Sequence, residues 1–505
     1  MAARRLAGVV CAVLALTACT TPDDATPTPG STPVTVSAGV VATGTAGSLA
    51  VGSTQTSPTD APVTQLGLLT GPGVDDRQIT LGTLIDPAAD RGFRQGLELW
   101  RQSANAAGGV CNRSVVLADA GVDDVPRDLP DAYRALGGSV LGFVTATTST
   151  QVRSELATLL SADRIPALTV EGTATDLLAT SPVVIGPTAD VIAANAADEL
   201  LRTGVLATGG RLGVVSDGAD PSRNAVDGLR WFAARHDLTL VVQTGQGRDV
   251  DVLSTLPVVF ALGDAALTAT LADALPADTT VVTTLDGYDP TLIDAAAAAH
   301  LRVALSTPAV GADHPGAKDV AAAVAAGGGV PGVSTFAGYA AGAVWQRLLV
   351  AACDAEDLTR NGVSTALTTV GPASVESLLG ASDPALPVID QQPATRSSSL
   401  AVADPSAPTG LRPLTGLLLA DGIEDYVAPH AEPPRPGDSA PERVGSRMGV
   451  TRWYPGGTTA RPVGAALPRQ QPSRSRPHRR SRARGIPVGH PLDAVIADGP
   501  IQEEA

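Results

Sequence analysis

The chain has 505 residues, 44% of them hydrophobic but only 3% aromatic, with a formal net charge of −16 and a pI of about 4.8. That length suits two compact lobes whose cores must be built from Ala, Val and Leu. The acidic balance argues against nucleic acid as a partner.

The charge is unevenly spread. From Ala428 onward 12 Arg outnumber 7 Asp and Glu, and Lys318 is the only lysine of the chain. At the start, Arg4 and Arg5 precede an apolar run from Leu6 to Leu16 and then Leu16-Thr17-Ala18-Cys19. A positive end and a short apolar core make a secretory signal. The run is too short for a permanent membrane span. Leu-Thr-Ala-Cys resembles a bacterial lipobox, which implies cleavage after Ala18 and a diacylglycerol on Cys19. A plain signal with an incidental Cys is the competing reading; the position of Cys19, between the apolar run and a polar Thr/Pro stretch, argues against it. Arg4-Arg5 alone is weak support for a twin-arginine route. Residues 19–74, rich in Thr, Pro, Ser and Gly with no apolar period, read as a disordered tether.

Next comes a first βα unit. Ile79–Ile85 reads as a strand, Asp86-Pro87 breaks it, and from Arg91 the residues Phe93, Leu97, Trp100, Ala104 and Ala107 recur at helical spacing up to Gly108-Gly109. Further strands are expected at Ser114–Asp119, Val140–Thr145, Ala167–Val170, Val183–Ile185, Arg211–Val215, Thr239–Gln243, Val258–Leu262, Thr280–Thr284 and Val303–Ser306. Helices are expected at Asp128–Leu136, Ser149–Ser161, Asp190–Arg202, Arg223–His236, Ala265–Leu275, Pro290–Ala299, Thr335–Ala352 and Gly362–Val370. Short strand-like pieces follow at Pro387–Asp390, Ser399–Val402, Leu414–Leu419 and Ile423–Val427. Alternating β and α elements specify parallel sheets covered by helices, and their number calls for two α/β lobes.

Several segments in order resemble the solute-binding lipoproteins of the branched-chain amino acid class, the type I periplasmic binding proteins that serve ABC importers. Gly73-Val74-Asp75-Asp76 before Ile79-Thr80-Leu81-Gly82 resembles the first strand of that family, and Ala104-Asn105-Ala106-Ala107-Gly108-Gly109-Val110 the end of its first helix. Gly142 to Gln151 (GFVTATTSTQ) is similar to its ligand-binding turn. Ile165-Pro166-Ala167-Leu168-Thr169 with Gly172-Thr173-Ala174-Thr175 is similar to the next contact segment, and Phe336 to Ala341 to the start of a late helix.

The resemblance implies a two-lobed fold over residues 75–427 with three hinge crossings: lobe one at 79–186 and 309–385, lobe two at 187–308 and 386–427. It also implies a ligand cleft at the carboxyl ends of the strands. Candidate ligand contacts are Asp86 on the first loop, Thr145, Thr147 and Thr148 on the hydroxyl turn, and Gly172 and Thr173 on the next. Asp264 and Tyr288 are the candidates from lobe two. Ser149 or Thr148 as a plain helix cap, and Asp264 as another, are the competing structural readings. Lobe two lacks the aromatic and acidic pair usual in amino-acid binders, and the Asp86–Arg91 loop is short, so the ligand pattern departs from the family.

With Cys19 lipidated, Cys111 and Cys353 remain in lobe one, and an exported protein meets an oxidising compartment. A disulfide between them is expected, with two buried thiols as the alternative. No Cys-x-x-Cys, His-Glu-x-x-His, Gly-x-Ser-x-Gly or phosphate loop is present, so neither catalysis nor a cofactor is expected. An envelope hydrolase would need a nucleophile–base pair that the sequence does not offer. His314, beside Asp313, is expected to be solvated. Residues 428–505, rich in Pro and Arg, read as a disordered tail. The tail is either an electrostatic attachment to anionic lipids or, more simply, an unselected or artefactual extension. The sum is a monomeric, lipid-anchored, extracytoplasmic binding protein that passes a small polar solute to ABC permease subunits. The alternative is a ligand-sensing or structural envelope lipoprotein that kept the fold without transport.

Overall fold

The computed structural model describes residues 63–65, 67–119, 128–244, 248–370, 377–380 and 391–429. Cys19, the expected strand at Pro387–Asp390, most of the tether and the tail from residue 430 lie outside them.

The first sheet runs in the order Ser114–Asp119, Gln78–Ile85, Gly142–Ala146, Ala167–Thr169 and Val183–Val184, all parallel. Two short strands, β1 (Val63–Gln65) and β2 (Leu68–Thr70), precede it in the chain, followed by β3 (Gln78–Ile85), α1 (Pro87–Asp90), α2 (Phe93–Ala106) and β4 (Ser114–Asp119). Next are α3 (Leu129–Leu136), β5 (Gly142–Ala146), α4 (Thr150–Ala162), β6 (Ala167–Thr169) and β7 (Val183–Val184). The chain then passes into lobe two: α5 (Ala189–Arg202), β8 (Arg211–Ser216), α6 (Asp220–Arg235), β9 (Thr239–Thr244), α7 (Val250–Leu253), β10 (Val258–Leu262), α8 (Ala265–Ala274), β11 (Thr280–Thr284), α9 (Ala295–His300) and β12 (Leu301–Leu305). It returns to lobe one through α10 (Pro315–Ala326), α11 (Thr335–Asp354), β13 (Asp357–Leu358) and α12 (Arg360–Thr369), and crosses a third time to β14 (Ser399–Ala403) and β15 (Leu411–Pro413). The second sheet has the order β15-β14-β12-β11-β10-β8-β9, with β14 and β15 antiparallel. This is the two-lobed type I periplasmic-binding-protein fold.

Lobe one is held by the contact of α2 with α11. Gly96, Gly338 and Gly342 let the two backbones touch: a Cβ at Gly96 would lie 1.8 Å from the Thr335 carbonyl, one at Gly338 1.9 Å from that of Phe93, and one at Gly342 2.3 Å from the Trp100 ring. Trp100 and Trp345 are fully buried in the same cluster. The far ends of the two helices are tied by the Cys111–Cys353 disulfide, with Cα atoms 6.1 Å apart.

The structure corrects several sequence expectations. Residues 63–65 and 68–70, read as tether, are strands; β2 pairs with β1 and with β13, whose residues arrive nearly three hundred positions later. Two three-residue strands carry no usable apolar period, so only this tertiary pairing defines them. The helix expected at Pro290–Ala299 shrinks to α9, because Asp294 caps it by accepting from the Ala296 and Ala297 amides, both at 2.8 Å. Leu414–Leu419 is not a strand. The chain turns after β15, Leu414 N and Thr415 N both donate to Leu400 O, and Leu414 and Leu419 stay exposed. At Ile423–Val427 a short 3₁₀ turn, Ile423–Asp425, replaces the expected strand. There Tyr426 is drawn inward to donate to the buried Asp190 carboxylate at 2.6 Å. That carboxylate also accepts from Asn224 at 3.1 Å, so the buried charge has the partners it needs. His314 is buried rather than solvated, and its Nδ1 accepts from the Ala317 amide at the start of α10. The helix α10 itself was not anticipated.

Candidate functional site

Both parallel sheets end their strands at the same place, a cavity of about 370 Å³ between the lobes. That volume falls in the range of small-molecule sites. Lobe one supplies the loops after β3, β5 and β6, and lobe two those after β8, β10 and β11.

The hydroxyl turn after β5 forms one wall. Ser149 caps α4 by accepting from Val152 N at 3.4 Å. Thr147 Oγ1 accepts from Ser149 N at 3.2 Å and donates to Asp86 Oδ2 at 3.5 Å. Thr145, Thr147, Thr148 and Thr150 all line the cavity, at the positive end of a 13-residue helix. Thr145 is 3% exposed, and its hydroxyl donates to Leu168 O at 3.4 Å. Gly172 lines the cavity as well.

The other sequence candidates fall elsewhere. Asp86 stands behind the wall and caps α1 through Ala88 N at 2.8 Å. Thr173 is buried beside the cavity; its hydroxyl lies 3.0 Å from Asp176 Oδ2 and 3.1 Å from Asp220 Oδ2, bridging the lobes. Asp264 lines the cavity but spends Oδ1 on the Leu267 amide at 2.8 Å, the cap reading. Tyr288 is 1% exposed in the core of lobe two, its hydroxyl donating to Gly410 O, and is not part of the lining.

Five charged residues outside the candidate contacts also line the site: Arg91, Arg153, Glu171, Asp217 and Asp286, of which Arg91 and Asp286 fall in segments that the sequence places at the lip and wall of the cleft. Arg153 pairs with Asp176 at 3.2 Å and donates to Thr147 O at 3.2 Å, bracing the hydroxyl turn. Arg91 reaches across the cavity to donate to Leu285 O at 2.7 Å. Its backbone is set by the Gly332 segment, where Ser334 N donates to Arg91 O at 3.2 Å. Glu171 accepts from Ser306 Oγ at 2.7 Å. Burial, reinforced by repulsion from Asp286, pushes the Glu171 carboxyl up to about 7, against the pull of the Ser306 hydroxyl, Arg153 and Arg91. The Asp286 carboxyl is also raised, by the protein crowded around it although its surface stays exposed, and is opposed by Arg153 and Arg91. Glu171, Asp217 and Asp286 lie just beyond a strand, Arg153 one turn into a helix, and Arg91 at the end of the short helix α1. That signal places them near the cleft but does not say which face they take.

Among the described residues no group of three or more His, Cys, Asp or Glu converges as a metal site, and no helix is long and apolar enough to cross a membrane.

No protein-family model and no curated sequence matches the chain. Solved structures do. A fatty acid ABC transporter substrate-binding protein from Thermomonospora curvata is 22% identical with a TM-score of 0.60, over 72% of this chain and 98% of that one. An ABC transporter substrate-binding protein from Desulfitobacterium hafniense in complex with Leu is 18% identical at a TM-score of 0.53, over 67% of this chain and 100% of that one. A branched-chain amino acid ABC transporter protein from Thermus thermophilus with bound valine is 17% identical at a TM-score of 0.51, over 68% of this chain and 97% of that one. At these identities the likeness is one of fold.

Proposed function

From that shared fold we propose that the chain is the extracytoplasmic solute-binding protein of an ABC importer. It works as a monomer held to the membrane through lipid on Cys19, and it hands its ligand to permease subunits. The ligand is a small polar solute, an amino acid or a related amide or organic acid, taken between the lobes. The observation that carries this reading is the interlobe cavity, where a hydroxyl turn at the start of α4 and charged groups from both lobes face one space. First-turn amides that a helix cannot satisfy internally, together with threonine hydroxyls, suit a carboxylate. Groups from both lobes around one solute make closure and binding the same event. The reading is of binding, without a catalytic step.

The test is a thermal-shift screen of the mature chain against amino acids, amides and small organic acids. A bound solute raises the melting temperature by mass action. The double variant Thr147→Ala/Thr148→Ala should lose the shift while keeping its own unliganded melting temperature close to wild type. A flat screen refutes importer function, and a shift that survives the double variant refutes the site.

A further inference from the structure

A second cavity, of about 330 Å³, lies in lobe one and shares no described lining residue with the cleft. Its walls come from α2, α10, α11 and the Leu378–Leu379 segment after α12, on the side where the chain leaves for lobe two at Ile185 and again past Thr395. The cause is local. Helices α10 and α11 present Ala323, Ala340 and Ala343 to this space, and side chains that short leave unfilled what a close-packed interior would fill. Around them Leu99, Val320 and Val344 keep the wall mainly apolar. A cavity of this volume with an apolar wall and few polar groups has the form of a small-molecule site.

Two observations set the chemistry of an occupant. Thr395 lines the cavity at 3% exposure, and its hydroxyl has no hydrogen-bonding partner. A buried hydroxyl left unpaired is costly, and a ligand that brings a donor or an acceptor removes the cost. The charges on the lining are one of each sign among the described residues, Asp319 and Arg347, and Arg347 is already engaged within the chain. The wall therefore offers no net charge to an ion of either sign.

We propose that this cavity is a second ligand site, for a small neutral molecule with an apolar body and one hydrogen-bonding group that meets Thr395. The claim is independent of the cleft and its solute. An apolar cavity of about 150 Å³ already takes up benzene, so the larger space in lobe one holds a six-membered ring with a short polar arm. A wholly apolar molecule leaves the Thr395 hydroxyl unmet, and a charged one loses its hydration without gaining an opposite charge.

The experiment measures binding of four probes of one size to the full mature chain by ligand-observed NMR: benzyl alcohol, toluene, benzoate and benzylammonium. Benzyl alcohol should bind about threefold to tenfold more tightly than toluene, the range of one net hydrogen bond, and more tightly than either ion. Thr395→Val keeps the shape and removes the hydroxyl. It should make benzyl alcohol and toluene bind alike without lowering the unliganded melting temperature, because the hydroxyl it removes has no partner. Ala343→Leu should fill the cavity and abolish binding of all four. If benzyl alcohol does not bind, if an ion binds as well as it does, or if its binding survives in a folded Ala343→Leu variant, the proposal is overturned. Should Ala343→Leu fail to fold, Thr395→Val decides: a preference for benzyl alcohol that persists in that variant overturns the proposal.

Discussion

Thr147 accepts from Ser149 N and donates toward Asp86, and Arg153 holds the Thr147 carbonyl from behind. The protein's own bonds therefore hold the turn in place, which under the proposed function lowers the ordering cost of binding. Three of the four threonines on the wall, Thr145, Thr147 and Thr148, were legible from their order in the sequence, but Thr150 and the roles of the acids were not. Asp86 and Asp264 have the spacing of ligand contacts and of helix caps alike, and the structure has both capping. Arg91 and Glu171 fall outside the sequence candidates because each finds its partner, Leu285 O and Ser306 Oγ, on the opposite lobe. Tyr288, the one aromatic expected in the cleft, turns inward because its hydroxyl finds a buried carbonyl at Gly410. Glu171 makes a stability prediction. Its folded value lies near 7, above the ordinary 4.5. Its contribution is thus fully present below about 4.5 and is lost as pH rises through about 7. The unliganded melting temperature should fall across this window more steeply in wild type than in Glu171→Gln, as read by calorimetric scans at a series of pH values.

Helix α2 carries an apolar stripe that the sequence displays plainly, with Phe93, Leu97, Trp100 and Ala104 all buried. What the stripe meets was less plain. Gly96 sits mid-helix, where glycine weakens a helix, because the α11 backbone passes directly over it. Gly338→Ala should place a methyl group against the Phe93 carbonyl and cost about 1–3 kcal/mol as overpacking, measured as a lowered midpoint in denaturant. The Cys111–Cys353 bridge secures the far end of the same pair and encloses a separation of 242 residues. In chain-entropy terms such a loop is worth about 5.5 kcal/mol before any strain, so Cys353→Ser should lower the melting temperature, and reductant should have no further effect on that variant. The strands β1 and β2 mark the limit of local reading: without β13 beside them their residues look like the end of a linker. Conversely, Leu414–Leu419 shows that an apolar run need not become a strand: it meets the sheet only at one antiparallel bridge, Leu418 with Ser398.

At the scale of the whole molecule, alternating periodicity and motif order were enough to specify two parallel sheets and a cleft, because these depend on patterns hundreds of residues long. The state of the cleft depends on single pairs. Arg91 to Leu285, Thr173 to Asp220 and Ala174 N to Asn224 Oδ1 at 3.3 Å already join the lobes by direct hydrogen bonds. These contacts bias the equilibrium toward closure, and under the proposed function a solute would supply the remainder by binding the closed state better than the open one. Arg91→Ala should therefore weaken solute binding mainly through faster dissociation, read by stopped-flow release, with less effect on association. The central claim is that a solute is held between the lobes against the turn at residues 145–150. Hydrogen exchange of the mature chain, with and without the solute that the thermal screen selects, tests it most directly. The account predicts new protection at residues 145–153 of lobe one and 284–287 of lobe two together. Protection confined to one lobe, or placed away from the cavity, would contradict it.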